Sequence, residues 1–155
     1  VSIQDRLDEL GLALPPVVPP VAAYVPAVRW GDLVWTAGQL PMVDGALPVT
    51  GHVGEGDGLV APGEAAALAA IAALNALAAV DREVGSLDAV ARIVKVVGFV
   101  ASAPGFTGQP AVVDGASTLL REIFGDAGVH ARSAVGVSEL PLGAPVEVEL
   151  VVALR

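Results

Sequence analysis

Pro145-Val146-Glu147-Val148-Glu149-Leu150-Val151-Val152-Ala153-Leu154 decides the fold of this 155-residue chain. Side chains alternate between the faces of a strand. Val146, Val148, Leu150, Val152 and Leu154 therefore form one unbroken apolar face. Glu147, Glu149, Val151 and Ala153 lie opposite. Two carboxylates opening an otherwise apolar strand are unusual if that second face is also covered.

Working back from there, Leu140-Pro141-Leu142-Gly143 separates this strand from another, Arg132–Ser138. Its alternation places Arg132, Ala134 and Gly136 on one face, with Val135 and Val137 on the other. An arginine beside small residues leaves room for something its guanidinium could hold. Before it come a helix over Ala111–Phe124, a Gly/Pro/Thr loop over Ala103–Pro110, and a strand over Ala91–Ser102 carrying Arg92 and Lys95. Pro62 and Glu64 open a long helix over residues 62–84, with Leu68, Ile71, Leu74 and Leu77 as its stripe of large residues. Gly85-Ser86 ends it.

In the N-terminal third, Tyr24–Trp30 and Leu33–Ala37 read as strands around a Gly31-Asp32 turn, and Asp44-Gly45 marks a further turn. The glycine-rich segment Gly51–Gly58 reads as a flexible loop. Ser2 and Asp5 cap a short helix whose face is Ile3, Leu7 and Leu10, with Gly11 at its end. Pro15–Pro20 forms an extended arm. The order β-β-α-β-α-β-β predicts an α+β fold: a mixed sheet with two helices packed on one face. The reading is of a single domain over 1–155, with residues 1–20 as an N-terminal helix and proline-rich arm.

Composition narrows the partners. Apolar residues make up 54% of the chain and charged ones 16%, which points to much buried surface and to sharing of it between identical subunits. The net charge is −9 with Lys95 the single lysine, so neither nucleic acid nor an anionic membrane surface is an expected partner. Ala65–Val80 falls short of the roughly 20 residues a bilayer requires, and Asn75 interrupts it. Cysteine is absent and the two histidines, His52 and His130, stand far apart, so no disulfide and no metal site is expected. His130 itself reads as structural or solvated. No signal peptide is visible, and a cytoplasmic location is the expectation.

Arg132 and Glu147 carry the chemical signal. A guanidinium grips a carboxylate through two parallel hydrogen bonds, and a glutamate can hold and polarise a water as general base. Together they suit addition of water to a small carboxylate-bearing molecule. Spacing alone favours a structural Arg–Glu ion pair at a subunit interface, the commoner outcome for buried charges.

The ordered set Tyr24, Gly31, Thr36-Ala37-Gly38-Gln39-Leu40-Pro41, Arg132-Ser133-Ala134-Val135-Gly136-Val137, Leu140-Pro141 and Val146-Glu147-Val148-Glu149 resembles the Rid (YjgF-like) family of reactive-intermediate deaminases. It runs from about Tyr24 to Arg155. The resemblance implies a chorismate-mutase-like fold, a homotrimer and ligand clefts between subunits. By that resemblance Arg132 grips the carboxylate of a 2-imino acid or its enamine tautomer. Glu147 positions the hydrolytic water, Tyr24 lines the cleft, and the backbone near Gly38 and at Ala134 contacts the ligand. No cofactor is implied.

Tyr24 is also readable as a half-buried strand-edge aromatic, Gly38 as a turn glycine, and Glu149 as facing solvent or a neighbour. Ala134 stands where many members have cysteine, and Asp114-Gly115 where many have asparagine. The arm and the Gly51–Gly58 loop exceed the compact family pattern. These departures point to a divergent subgroup. The expected activity is hydrolysis of an imine or enamine to a 2-oxo compound and ammonia. The alternative is a non-catalytic metabolite-binding or regulatory trimer using the same cleft. A ribonuclease, the activity historically attached to the family's name, fits the charge least.

Overall fold

In the computed structural model, which describes residues 1–20 and 22–155, the C-terminal strand lies in the middle of the sheet. Among the described residues five strands are ordered β1-β2-β5-β3-β4, spanning Ala27–Trp30 (β1), Leu33–Thr36 (β2), Val90–Ala101 (β3), Ala131–Val137 (β4) and Val146–Leu154 (β5). All neighbours are antiparallel except β3 and β4. That parallel pair demands a crossover, supplied by a helix over Gln109–Phe124. We call the three helices α1 (Ile3–Glu9), α2 (Pro62–Val84) and α3 (Gln109–Phe124).

The α+β reading holds: α2 and α3 pack against each other and cover one face of a mixed sheet. Val146, Val148, Leu150, Val152 and Leu154 all point into that core, none more than 8% exposed. Burying each such side chain contributes about 1.5–3 kcal/mol relative to exposure.

The alanines of α2 matter more than its leucines. Ala65, Ala69, Ala72, Ala73 and Ala76 are buried with Leu68 and Leu77. Ile71 and Leu74 are only half-buried, so the stripe of large residues does not define the core face. Small residues let backbones approach closely. At Gly115 of α3 an added Cβ would overlap the carbonyl oxygen of Ala66. With its full length, α2 is apolar enough to cross a bilayer, beyond the shorter run read from sequence, and much of it is buried within the fold.

Several boundaries move. The first strand begins at Ala27 and not Tyr24, because Tyr24 N–H closes a tight turn onto Ala22 and Pro26 supplies no ladder donor. α3 starts at Gln109, earlier than expected, since Pro110 fits a first helical turn that needs no N–H. Gly51–Gly58 is not simply a flexible loop. Val53 is fully buried within it, its N–H bonded to Ala101 O at 2.7 Å and its C=O to Ala103 N–H at 2.9 Å.

The Gly31-Asp32 hairpin forms as read, with Trp30 opposite Leu33. Ser2 and Asp5 form a reciprocal capping box, whose hydrogen bonds from Ser2 hold the Asp5 carboxyl below its usual range. Leu7 then pins α1 to the shared core at 1% exposure.

Candidate functional site

Strand alternation leaves the sheet face opposite the helices open. Pairing registers place Val28 and Trp35 beside Val151, and Glu147 beside Phe99 and Val135. Val28, Trp30, Trp35 and Val135 are exposed, Trp30 at 79%. On this mostly apolar surface Glu147 and Glu149 stand two residues apart, both partly buried.

Neither carboxylate has an ion-pair partner among the described residues. Burial pushes the Glu147 carboxyl above the usual range, and the neighbouring charge of Glu149 adds to the rise. Burial alone raises Glu149. Both effects penalise the charged form. A carboxylate tuned this way accepts a proton more readily at neutral pH than an exposed one, as a general base requires.

The segment after β2 sets what lies next to Glu147. Thr36 Oγ1 accepts from Leu150 N–H at 3.0 Å. Gln39 exchanges backbone bonds with Val148 at 2.8 and 3.0 Å. The amide of Asn75, reaching from α2, donates to Leu40 O at 3.0 Å and Met42 O at 3.1 Å. Held at both ends, the chain passes Gly38 directly over Glu147. A Cβ at Gly38 would fall on the Glu147 carboxylate, 2.7 Å from Cδ. A side chain at Gly38 would push the Glu147 carboxylate aside.

Gly38 also lines a small cleft of about 60 Å3 with Tyr24, Pro26, Leu40, Pro19 and Leu142. Tyr24 is 47% exposed at its edge. Leu142 is presented to it by a left-handed backbone, φ 60°, which a leucine adopts only at a cost.

Arg132 lies elsewhere. It pairs with Val96 on the helix-covered side of the sheet, and its guanidinium reaches α3. Nη1 donates to Asp114 Oδ1 at 2.7 Å and to Ser117 Oγ at 3.2 Å, while Nη2 donates to Pro110 O at 3.2 Å. Ser117 also bonds His130 Nε2 at 2.8 Å, and His130 Nδ1 meets Gly128 O at 2.6 Å. His130 is therefore a structural link, as read. The space expected beside Gly136 is occupied by Gln109 and Ser102. Ala134 packs on the core edge. Within one chain the structure brings Glu147, Gly38 and Tyr24 into one region, and leaves Arg132 and Ala134 on the other face. No cluster of three metal-ligating side chains occurs among the described residues.

A mixed sheet with two helices packed on one face is the architecture of the chorismate-mutase-like α+β proteins. Residues 4–154 match the profile of the family described as "YjgF/chorismate_mutase-like, putative endoribonuclease". The chain belongs to this family. It is 43% identical over 151 residues to Protein TCP17 of Trypanosoma cruzi, covering 97% of this chain and 92% of that one. It is similar to the crystal structure of Atu1372, a protein of unknown function from Agrobacterium tumefaciens (40% identity, TM-score 0.89, 99% and 92% of the chains). It is also similar to a "putative endoribonuclease" from Shewanella oneidensis (32% identity, TM-score 0.94, 99% and 100%).

Sequence reasoning missed the Asp114–Arg132–Ser117 cluster and the clamp made by Asn75. Asp114 and Ser117 do stand three residues apart on a helix, the spacing that puts two polar groups on one face. A lone asparagine within an alanine run was the corresponding signal for Asn75.

Proposed function

We propose that this protein hydrolyses a small carboxylate-bearing imine or enamine to a 2-oxo compound and ammonia, in a cleft between the subunits of a homotrimer. The observation that carries the reading is Glu147: partly buried, without an ion-pair partner among the described residues, held against Gly38 and raised in pKa, on a mostly apolar face that it shares with Glu149, Lys95 and Ser133. Glu147 takes a proton from water as the oxygen adds to the imine carbon. It returns that proton to nitrogen to complete the carbinolamine, then carries the hydroxyl proton to the same nitrogen as the C–N bond breaks, leaving C=O and NH3. Nothing is oxidised or reduced.

Arg132 holds the substrate carboxylate in this reading. Because it sits on the other face of its own sheet, the arginine is contributed by a neighbouring copy, from the β4 edge strand. The exposed Val28, Trp30, Trp35 and Val135 supply the apolar surface that such a neighbour covers.

One observation favours the second reading, a non-catalytic metabolite-binding trimer: the Arg132 guanidinium already holds three acceptors on α3. Release of 2-oxo acid and ammonia from 2-imino acids generated in situ by an amino-acid oxidase separates the two. Turnover above the buffer rate that disappears in Glu147→Gln supports hydrolysis. Binding of 2-oxo acids without turnover across the panel supports the second reading. The ribonuclease reading is the weakest, because a net charge of −9 opposes binding to phosphates.

A further inference from the structure

Besides Glu147, the open sheet face carries Glu149 and Lys95, the single lysine of the chain. Pairing registers set Glu149 opposite Val97 of β3 and Lys95 opposite Val151 of β5, one step apart on adjacent strands. Both side chains are partly buried. A charge taken out of water is costly unless it meets an opposite one. Diagonal neighbours on adjacent strands are close enough for long side chains to pair. These two do not: neither belongs to an ion pair among the described residues.

The lysine turns the other way. Its Nζ donates to Ser133 Oγ at 3.1 Å. Ser133 belongs to β4, on the far side of β3 from β5. Lys95 therefore leans away from the carboxylate of its own chain and towards the outer edge of the sheet. A neutral hydroxyl occupies one of its three donors and cancels none of its charge. Glu149 meets no cation of its own chain either, and burial raises its carboxyl. One face thus displays a cation near its edge and an anion further in, each short of a counter-charge. The same face exposes Val28, Trp35 and Val135.

Whatever covers such a surface must be apolar and must offer both signs of charge. A second copy of this chain meets that demand with the same residues. Copies arranged in a ring meet through two different patches, and closure repeats one contact at every junction. We infer that Lys95 of one subunit pairs with Glu149 of the next, and that these pairs fix how the sheets are set against one another in the trimer. The inference rests on the covered sheet face of the proposed trimer and not on its chemistry. Apolar contact alone would accept several settings of one sheet on another. A misplaced setting would bury a charge unpaired or beside its like, so the ion pairs select one.

Charge reversal tests this with assembly as the readout. Light scattering follows wild type, Lys95→Glu and Glu149→Lys, with melting curves to show that each chain is folded. Wild type is expected as a trimer at micromolar concentration. Each reversed protein is expected to assemble at least about a hundredfold more weakly, because like charges then meet at every junction. Mixed in equal amounts, the two are expected to associate where neither does alone, as most junctions in a mixed ring join unlike copies. A pair formed within one chain would gain nothing from mixing. Where a reversed chain does not fold, the neutral Lys95→Met and Glu149→Gln replace it, singly and combined. Their combined loss of assembly is expected to be smaller than the sum of the single losses. Wild-type assembly of a reversed protein, a mixture that stays apart, or additive neutral losses overturns the pairing. A monomeric wild type overturns it together with the cleft between subunits. Rescue by mixing, in a protein whose wild type turns over no imine, supports the pairing and removes the proposed activity alone.

Discussion

Arg132 and Glu147 lie on opposite faces of one sheet: Arg132 is in register with Val96 and Leu150 of the core, and Glu147 with Phe99 and Val135 of the open side. A ligand that touches both must bridge two copies. Arg132→Ala and Glu147→Gln should each abolish activity as pure proteins. Mixed trimers, made by co-refolding equal amounts, should recover about a quarter of wild-type turnover, since a cyclic trimer pairs each arginine with one neighbouring glutamate. Mixtures as inactive as their components would place the two residues in separate roles.

Glu147→Gln tests the general base through rate and stability together. Loss of proton transfer should lower kcat by about 10²–10⁴-fold. The folded protein holds the Glu147 proton more tightly than the unfolded chain does. Its contribution to stability is therefore present below the unfolded pKa and is lost as pH rises through the higher folded value. The glutamine variant should melt higher than wild type at neutral pH and show a flatter stability profile across the acidic range. A residual slope from Glu149 should remain.

Asp114 already pairs with the Arg132 guanidinium at 2.7 Å, so the proposed carboxylate ligand would have to displace it. Asp114→Asn should tighten binding of a 2-oxo acid. Arg132→Lys, which keeps the charge but loses the planar fork, should weaken it at least about tenfold. Titration calorimetry on both variants, with melting curves alongside, distinguishes anchor from brace. An Arg132→Lys protein that melts lower yet binds normally has lost only a structural contact.

Gly63 and Gly115 make a matched pair for the packing of α2 on α3. An added methyl at Gly115 meets the Ala66 backbone, which cannot yield, whereas at Gly63 it meets open space. Gly115→Ala should cost about 1–3 kcal/mol by overpacking. Gly63→Ala should stabilise by about 0.5–1 kcal/mol. Urea unfolding of the two variants should move in opposite directions.

In the proposed trimer the open sheet face is the surface that neighbouring copies cover. Wild type should run as a trimer by light scattering at micromolar concentration. Trp30→Glu places a charge at the most exposed aromatic of that face and should give folded monomer. Loss of imine hydrolysis alongside loss of the trimer is the expected pairing.

Local signals in the sequence carried much of this fold. The 62–84 helix is bounded by Pro62 and Gly85, and the alternation of β5 survives intact because every second residue enters the core. The position of β5 between β2 and β3 was not legible, since strand order depends on long-range pairing that no local pattern encodes. Glu147 and Gly38 were found as separate candidates through chemistry and family pattern. Their contact depends on two distant elements meeting. The Arg132 partners could not be foreseen from strand alternation, because they depend on how the α3 crossover is phased against β4. The alternation did group Arg132 with Ala134 and Gly136, but gave no sign that α3 fills the space beside them.

The central place of β5 has a consequence for biosynthesis. The β1–β2 hairpin and the β3–α3–β4 unit emerge from the ribosome first, yet within this sheet each finds its neighbour only in β5. Until that strand is available, two edges with unpaired N–H and C=O groups stay open, and the apolar side of α2 lacks most of its floor. The nascent chain should therefore be a substrate for holding chaperones until β5 has left the ribosome. Completion of the sheet is then a single event that waits for β5, with Leu33 meeting Ala153 from a strand far earlier in the chain.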